Sequence, residues 1–283
     1  MSAAQGSAST SAEAFGLSGA SPAPAERAQL LLAWLLTQDI EGYEKSFKLS
    51  EQSLLDQRFL VGIVAERLPQ ARLLDVCRKL DMPRQFLEVL PAELATADTL
   101  HFGYEQARDS AIFKLYFEYW RRLNQARNRG DESFVLHRAF KWDALNPARR
   151  AVASYICFPD LSHDQALARI AALYPNRPDH PVPALARTLT SLAASCGGGP
   201  AMYLEVSETD NPRLSFDLNF HAAGLKLGTI ETQIRALASL HSIPMEQLQR
   251  LWPGVAAKPL GHLAGGTGRD GQDFLTIYYD PLG

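Results

Sequence analysis

IFKLYFEY at residues 112–119 decides the fold of this chain. Phe113, Leu115, Phe117 and Tyr119 point one way, and Lys114, Tyr116 and Glu118 point the other. A period of two is the repeat of a β-strand with one apolar and one polar face. RLSFDLNF at residues 213–220 has the same grammar. Its apolar row is Leu214, Phe216, Leu218 and Phe220, and its polar row is Arg213, Ser215, Asp217 and Asn219. Both polar rows are chemically specific, with cations, a phenol, carboxylates and an amide. If helices cover the apolar side of such a sheet, the polar side faces solvent or a polar cavity.

Working outward from these two strands, the second half of the chain reads as four hairpins. Strands are expected at 100–106 and 111–119, at 133–142 and 150–158, at 201–206 and 212–220, and at 259–265 and 273–280. Helices are expected between the later pairs, at 162–173 (Ser162 as N-cap), 183–195, 229–240 and 244–251. Residues 120–129 form a basic helix or extended loop, read as a solvated face. The first half reads as helical. A helix at 26–36 follows Pro22 and Pro24, and a capped helix runs from Ser50 to the residue before Pro69. Two further helices lie at 70–80 and 83–90.

Helix pairs alternating with hairpins make an antiparallel sheet with helices on one face. Eight or more strands twist and tend to close, because closure removes the edges. The expected fold is α+β: a β-barrel or strongly curved sheet with a polar lumen and helices outside. Residues 1–25, rich in Ala, Ser and Gly, read as a disordered leader. Residues 26–98 form a helical N-terminal segment, joined in one domain with the helix-clad barrel of 99–283.

In that barrel the lumen is lined by Lys114, Tyr116, Glu118, Tyr203, Glu205 and Arg213, with Ser215, Asp217 and Asn219 beyond them. Lys258 and His262, four residues apart, face the same way. Thr276 and Tyr278 join them if Leu275 and Ile277 face outward, and at most one of Arg138 and Lys141 is inside. Several cations in a half-buried cavity need an anion to compensate them. Glu118, Glu205 and Asp217 supply part, and a phosphate or diphosphate ligand suits the rest, with Arg as a fork and Lys as a point charge. Tyrosine ring faces beside the cations tolerate a developing carbocation. The competing reading is a solvated sheet face with cross-strand ion pairs.

Helix pairs alternating with hairpins, a polar lumen and the strand Lys114-Leu-Tyr116-Phe117 together resemble the aromatic prenyltransferases of the ABBA barrel type. Leu275-Thr-Ile-Tyr278-Tyr279 is a weaker echo in the last strand. Four hairpins are read here where that family has five, and Lys-x-Tyr occurs once. The resemblance implies transfer of a prenyl group from an allylic diphosphate to an aromatic small molecule or peptide side chain, in secondary metabolism. Lys114, Arg213 and Lys258 would hold the diphosphate. Tyr116, Tyr203 and Tyr278 would shield the allyl cation, and Glu118 or Glu205 would orient the acceptor and take its proton. Asn219 and His262 complete the expected substrate-binding set. No cofactor is required, and any Mg²⁺ would be held mainly by the donor's phosphates, since no aspartate-rich cluster is present. The alternatives are a non-catalytic protein that binds a hydrophobic or anionic ligand in the same cavity, and a scaffold docking a partner on an open sheet.

Bulk properties narrow the classes. The 283 residues are 46% hydrophobic and 21% charged, with a net charge of −3. That balance provides no broad attraction to nucleic acid or an anionic membrane, and no apolar run approaches the ~20 residues of a membrane span. Three widely spaced cysteines argue against a disulfide framework and for small buried side chains in a reducing cytoplasm. The seven histidines show no metal-ligand spacing. Gly266-Thr-Gly268-Arg-Asp-Gly271 matches G-x-G-x-x-G, but a strand rather than a helix follows it. That makes it a hairpin turn or a lid over the barrel mouth rather than a dinucleotide site.

Overall fold

The structure, a computed structural model, describes residues 22–107, 109–197 and 201–282. The expected leader therefore falls largely outside the described residues. The first described element is helix α1 (Pro22–Leu35), which starts at Pro22 rather than at Glu26.

The expected hairpins are present as β4 (Thr99–Ala107) and β5 (Ser110–Glu118), β6 (Phe134–Asp143) and β7 (Asn146–Cys157), β8 (Met202–Glu208) and β9 (Leu214–Asn219), and β10 (Leu260–Thr267) and β11 (Asp273–Leu282). A fifth hairpin lies upstream of them, formed by β1 (Ile40–Ser50) and β3 (Arg58–Val64), with the short β2 (Ser53–Leu55) folded against the end of β1. The capped helix expected after Ser50 is thus corrected to strand. RFLVGIV is apolar on both faces because Leu60 and Gly62 line the lumen while Phe59, Val61 and Ile63 face the helices. A run without alternation reads as helix or as buried strand, and only the pairing partner decides. The barrel accordingly draws strands from residues 40–64 and does not begin at Thr99.

Every neighbouring pair is antiparallel, and β1 pairs with β3 on one side and β11 on the other. Ten strands, with β2 as an extra, therefore close into a barrel, and the open sheet of the scaffold alternative is not found. Among the described residues, closure leaves no long unpaired edge.

The helices sit outside. After α1 come α2 (Gln70–Lys79), α3 (Arg84–Leu87), α4 (Leu90–Leu94) and α5 (Trp120–Arg129). Then follow α6 (His163–Ala172), α7 (Pro181–Ser195), α8 (Glu231–Leu240) and α9 (Met245–Val255). Ser162 caps α6 in a full capping box with Gln165.

Two apolar layers fill the space between helices and barrel wall. One joins α1 to α4 with the outward rows of β3, β4 and β5, where Phe113, Leu115 and Phe117 are completely buried. The other joins α6 to α9 with the outward rows of β9, β10 and β11. Each fully buried large side chain stabilises the fold by about 1.5–3 kcal/mol. Polar anchors tie the helices of the first layer to the barrel wall: Tyr104 Oη donates to Pro24 O at 3.1 Å, and Trp142 Nε1 donates to Leu80 O at 2.8 Å. The core thus lies outside the barrel, which leaves the lumen free for polar groups. Among the described residues no helix is long and apolar enough to cross a membrane. Cys77 and Cys157 are buried as expected, whereas Cys196, at the end of α7, is exposed.

Candidate active site

The inward rows divide the lumen into two connected chambers. The lower one is lined by Lys48, Arg58, Lys114, Lys141 and Arg213, five cations on five different strands or strand ends. Two carboxylates are threaded among them. Glu105 accepts from Lys114 Nζ at 2.6 Å and meets Arg58 Nη1 at 3.0 Å. Glu208 accepts from Lys141 Nζ at 2.8 Å, from Arg213 Nη1 at 3.2 Å and from Arg269. Arg269 belongs to the glycine-rich turn between β10 and β11, so that turn closes the cationic end of the barrel rather than the open mouth. Gly266 there has φ +141°, a conformation that favours glycine. Strands on both sides of the turn remove the dinucleotide reading.

With Arg269, six basic side chains meet Glu105 and Glu208, and Asp217, which also borders this chamber, is taken up by His262, so the chamber is short of negative charge. The effect shows in the titration of its groups. Burial, reinforced by Arg58 and Lys48, pushes the Lys114 ammonium down to about 7 although Glu105 opposes it. Burial and then Arg213 push Lys141 well below the usual lysine value. Burial alone would raise Glu105 and Glu208, but the surrounding cations outweigh it, so both carboxyls are held well below their usual range. A chamber that discourages its own lysines from protonating is one that an added polyanion would relieve.

Tyr116, Tyr155 and Tyr278 border both chambers and form a waist between them. Tyr116 and Tyr155 meet edge to face with ring centroids 5.8 Å apart. Burial pushes all three phenols up, so they are neutral.

Above the waist a cavity of ≈ 490 Å³ opens to solvent. Its polar groups form two clusters. In the first, Glu118 Oε1 lies 3.0 Å from His101 Nδ1 and 3.5 Å from His137 Nδ1, and its Oε2 accepts from Trp120 Nε1 at 2.8 Å. Burial would raise this carboxyl, but His101 and His137 hold it at about 2. In the second, His262 Nδ1 meets Asp217 at 2.8 Å and Nε2 meets Glu44 at 3.0 Å, while the ring stacks on Tyr278 at 3.7 Å. Burial would lower His262, but the two carboxylates push it up to about 10. The wall between the clusters is apolar, with Met202 and Leu204 inward.

Of the residues expected from sequence, the structure brings Lys114, Tyr116, Glu118, Arg213, Asn219, His262 and Tyr278 to the lumen. Thr276 is inside as well, and Lys141 rather than Arg138 is the inward cation of β6. Three expectations are corrected. Tyr203 and Glu205 face the helices: Tyr203 is buried in the outer apolar layer, and Glu205 pairs with Arg169 of α6 at 2.7 Å. On β8 the apolar side chains Met202, Leu204 and Val206 line the cavity, so the rule of polar side inward fails there. Lys258 precedes β10 and pairs with Asp280 at 2.9 Å outside the lumen. A register irregularity between Leu260 and Leu263 breaks the two-residue phase that linked Lys258 to His262.

Glu44, Lys48, Arg58, His101, Glu105, His137, Tyr155 and Glu208 were missed. Alternation in EKSFKL of β1, with Glu44, Ser46 and Lys48 against Phe47 and Leu49, carried a signal for the first two. Glu208 reads as a turn residue and becomes a lumen residue only because β8 extends that far.

Comparison with solved structures finds this architecture in aromatic prenyltransferases. PriB in a binary complex with product diphosphate superposes with a TM-score of 0.63 at 15% identity, over 96% of this chain and 94% of that one. The 5-dimethylallyltryptophan synthase from Streptomyces coelicolor gives 0.62 at 16% identity, over 96% and 95%. NotF in complex with brevianamide F and DMSPP gives 0.55 at 12% identity, over 97% and 92%. No protein-family model and no curated protein sequence matches the chain. The chain has the ABBA barrel fold of these prenyltransferases, and the fifth hairpin completes it.

Proposed function

We propose that the protein transfers a prenyl group from an allylic diphosphate to an electron-rich aromatic acceptor. The observation that carries this reading is the stack of three zones along one lumen. A cation-rich floor, a waist of tyrosine rings and an open chamber with carboxylates follow one another. The bound molecules of the similar structures, product diphosphate in PriB and brevianamide F with DMSPP in NotF, have matching chemistry.

Lys48, Arg58, Lys114, Lys141 and Arg213 would hold the diphosphate in the lower chamber. As the allylic C–O bond breaks, its electron pair leaves with the diphosphate, and preorganised cations lower the energy of that charge. The allyl cation forms between the faces of Tyr116, Tyr155 and Tyr278, which stabilise it and keep water out. An acceptor ring in the upper chamber supplies the π-electron pair for the new C–C or heteroatom–carbon bond. The proton it then loses goes to a carboxylate, and Glu118 faces that chamber. A carboxylate held near 2 is a weak base, yet a ring carrying a positive charge is a strong acid, so a weak base suffices.

Glu105 and Glu208 are already engaged by lysine and arginine. A Mg²⁺ ion in the lower chamber would therefore be held through the donor's phosphates. A carrier of a purely hydrophobic ligand would not need the cation-rich floor, and a carrier of an anion would not need the aromatic waist beside it. Reduced, unpaired cysteines and the small-molecule cavity support a cytoplasmic enzyme of secondary metabolism.

The test is incubation with dimethylallyl, geranyl or farnesyl diphosphate and a panel of indoles, phenols and aromatic peptides. The readouts are released diphosphate and product mass. Prenylated acceptor is the expected product. Release of neither diphosphate nor prenylated product with every pair would overturn the reading.

A further inference from the structure

We infer that the upper chamber holds a binding site for one divalent first-row transition ion of the Zn²⁺ type, formed by Glu44, His221 and His262. The inference stands independently of prenyl transfer. These residues come from β1, from the turn after β9 and from β10, so no sequence spacing announces them. One donor atom from each lies within 4.8 Å of the others.

Four details suit a metal. Asp217 engages His262 Nδ1, which presents Nε2 toward Glu44 as the ligating atom. A carboxylate behind a histidine is the usual support of a metal-bound imidazole. Asn219 Oδ1 accepts from the His221 backbone N–H at 3.0 Å and fixes the turn that carries the second imidazole. Glu44, 8% exposed, leaves Oε1 buried without a well-formed hydrogen bond although His221 Nε2 lies only 2.5 Å away. Lastly, the cluster rests on Gly261, where a Cβ would come within 2.7 Å of Glu44 Oε1 and 3.0 Å of His221 Nε2. Absence of a side chain at that position makes room for the three donors to converge.

Charge also balances. Glu44 and Asp217 together neutralise a divalent ion once the ion has displaced the second proton of His262, which leaves both imidazoles neutral. Two nitrogens and one carboxylate oxygen form a donor set suited to Zn²⁺ or Co²⁺, and all three side chains line the open chamber, from which water could complete the set. Mg²⁺, which prefers six oxygens, is a poor match.

The experiment is titration of the full chain with Co²⁺, read by its visible d–d absorption, followed by competition with Zn²⁺ and with excess Mg²⁺. A single site with tetrahedral or five-coordinate bands, displaced by Zn²⁺ and untouched by Mg²⁺, is expected. His221→Ala, at a half-exposed position, should weaken binding by more than about tenfold, and Asp217→Asn by about 10- to 100-fold. Circular dichroism reports whether each variant is folded, and His221→Ala decides alone if Asp217→Asn is not. Bands that remain those of the hydrated ion, or equal affinity in His221→Ala and the parent protein, would overturn the inference.

Discussion

Lys114 Nζ and Glu105 Oε2 lie 2.6 Å apart on neighbouring strands, buried in the lumen floor. Directly across from Lys114, two residues before Glu105 on β4, is Gly103, where a Cβ would press on Lys114 Cβ and Leu60 Cδ1 at 3.3 Å. The glycine lets the lysine lie along the wall and reach the floor. Arg58, on the other side of Glu105, makes the group a cation–carboxylate–cation bridge. Once a bound anion keeps Lys114 protonated, Glu105 balances only one of the two positive charges, and the other faces the ligand.

Removing that surplus should weaken anion binding directly. Lys114→Ala is expected to cost about 1.5–3 kcal/mol of diphosphate affinity, the range for a hydrogen bond to a charged group. That corresponds to roughly 10- to 150-fold in Kd. Arg213→Ala should cost a similar amount. Calorimetry with inorganic diphosphate measures both.

Binding should also depend on pH in a defined direction. Lys114 is held at about 7 in the free protein, chiefly by burial. A bound polyanion favours the ammonium and raises that value, so the complex binds more protons than the free protein. The Lys114 contribution to affinity is therefore full below about 7 and falls as pH rises above it. At pH 8, diphosphate binding should take up protons, visible as a dependence of the binding heat on buffer ionisation enthalpy. No uptake, or release, would contradict the sign.

The waist should control where the cation goes. Tyr116→Ala opens a path for water and should raise the share of donor lost to the prenyl alcohol, while Tyr116→Phe keeps the ring face and should restore coupling to the acceptor. Chromatographic ratios of alcohol to prenylated acceptor test this at equal donor turnover.

Much of this arrangement was legible in advance, and the failures have physical causes. β5 and β9 separate two solvents, an apolar layer and a polar lumen, so their alternation is clean. β3 does not separate them, because its inward row includes Leu60 and Gly62, and its run of apolar residues reads as helix until β4 pairs with it. β8 inverts the rule: the upper chamber needs an apolar wall, so Leu204 turns in and Glu205 turns out to Arg169. β10 slips its phase near Leu260, which strands Lys258 outside. Glu208, which reads as a turn residue, carries no strand signal of its own until β8 extends to it and the barrel closes.

Glu118 should behave as an anion throughout the working range. Its folded value of about 2 lies below the ordinary 4.5, so its contribution to stability is present above about 4.5 and is lost as pH falls toward 2. Glu118→Gln should lower kcat by about 10²- to 10⁴-fold if the carboxylate takes the acceptor's proton. The same variant should leave diphosphate affinity nearly unchanged, since the group lies above the waist. A kcat equal to that of the parent protein would move the proton acceptor to another carboxylate.

Residues excluded from the lumen provide the converse prediction. Glu205→Gln removes a half-exposed ion pair with Arg169, a contact worth about 0–1 kcal/mol. Lys258→Ala removes a similar surface pair with Asp280. Neither should change donor affinity or prenyl transfer, as steady-state kinetics with each variant would show.

The central claim is that the floor of the barrel is a diphosphate site. Isothermal titration with a non-hydrolysable dimethylallyl thiolodiphosphate, on the parent protein and on Lys114→Ala and Arg213→Ala, tests it most directly. One molecule bound per chain, with affinity at least about tenfold weaker in each variant, is the predicted result. No binding to the parent protein, or binding unaltered in both variants, would contradict it.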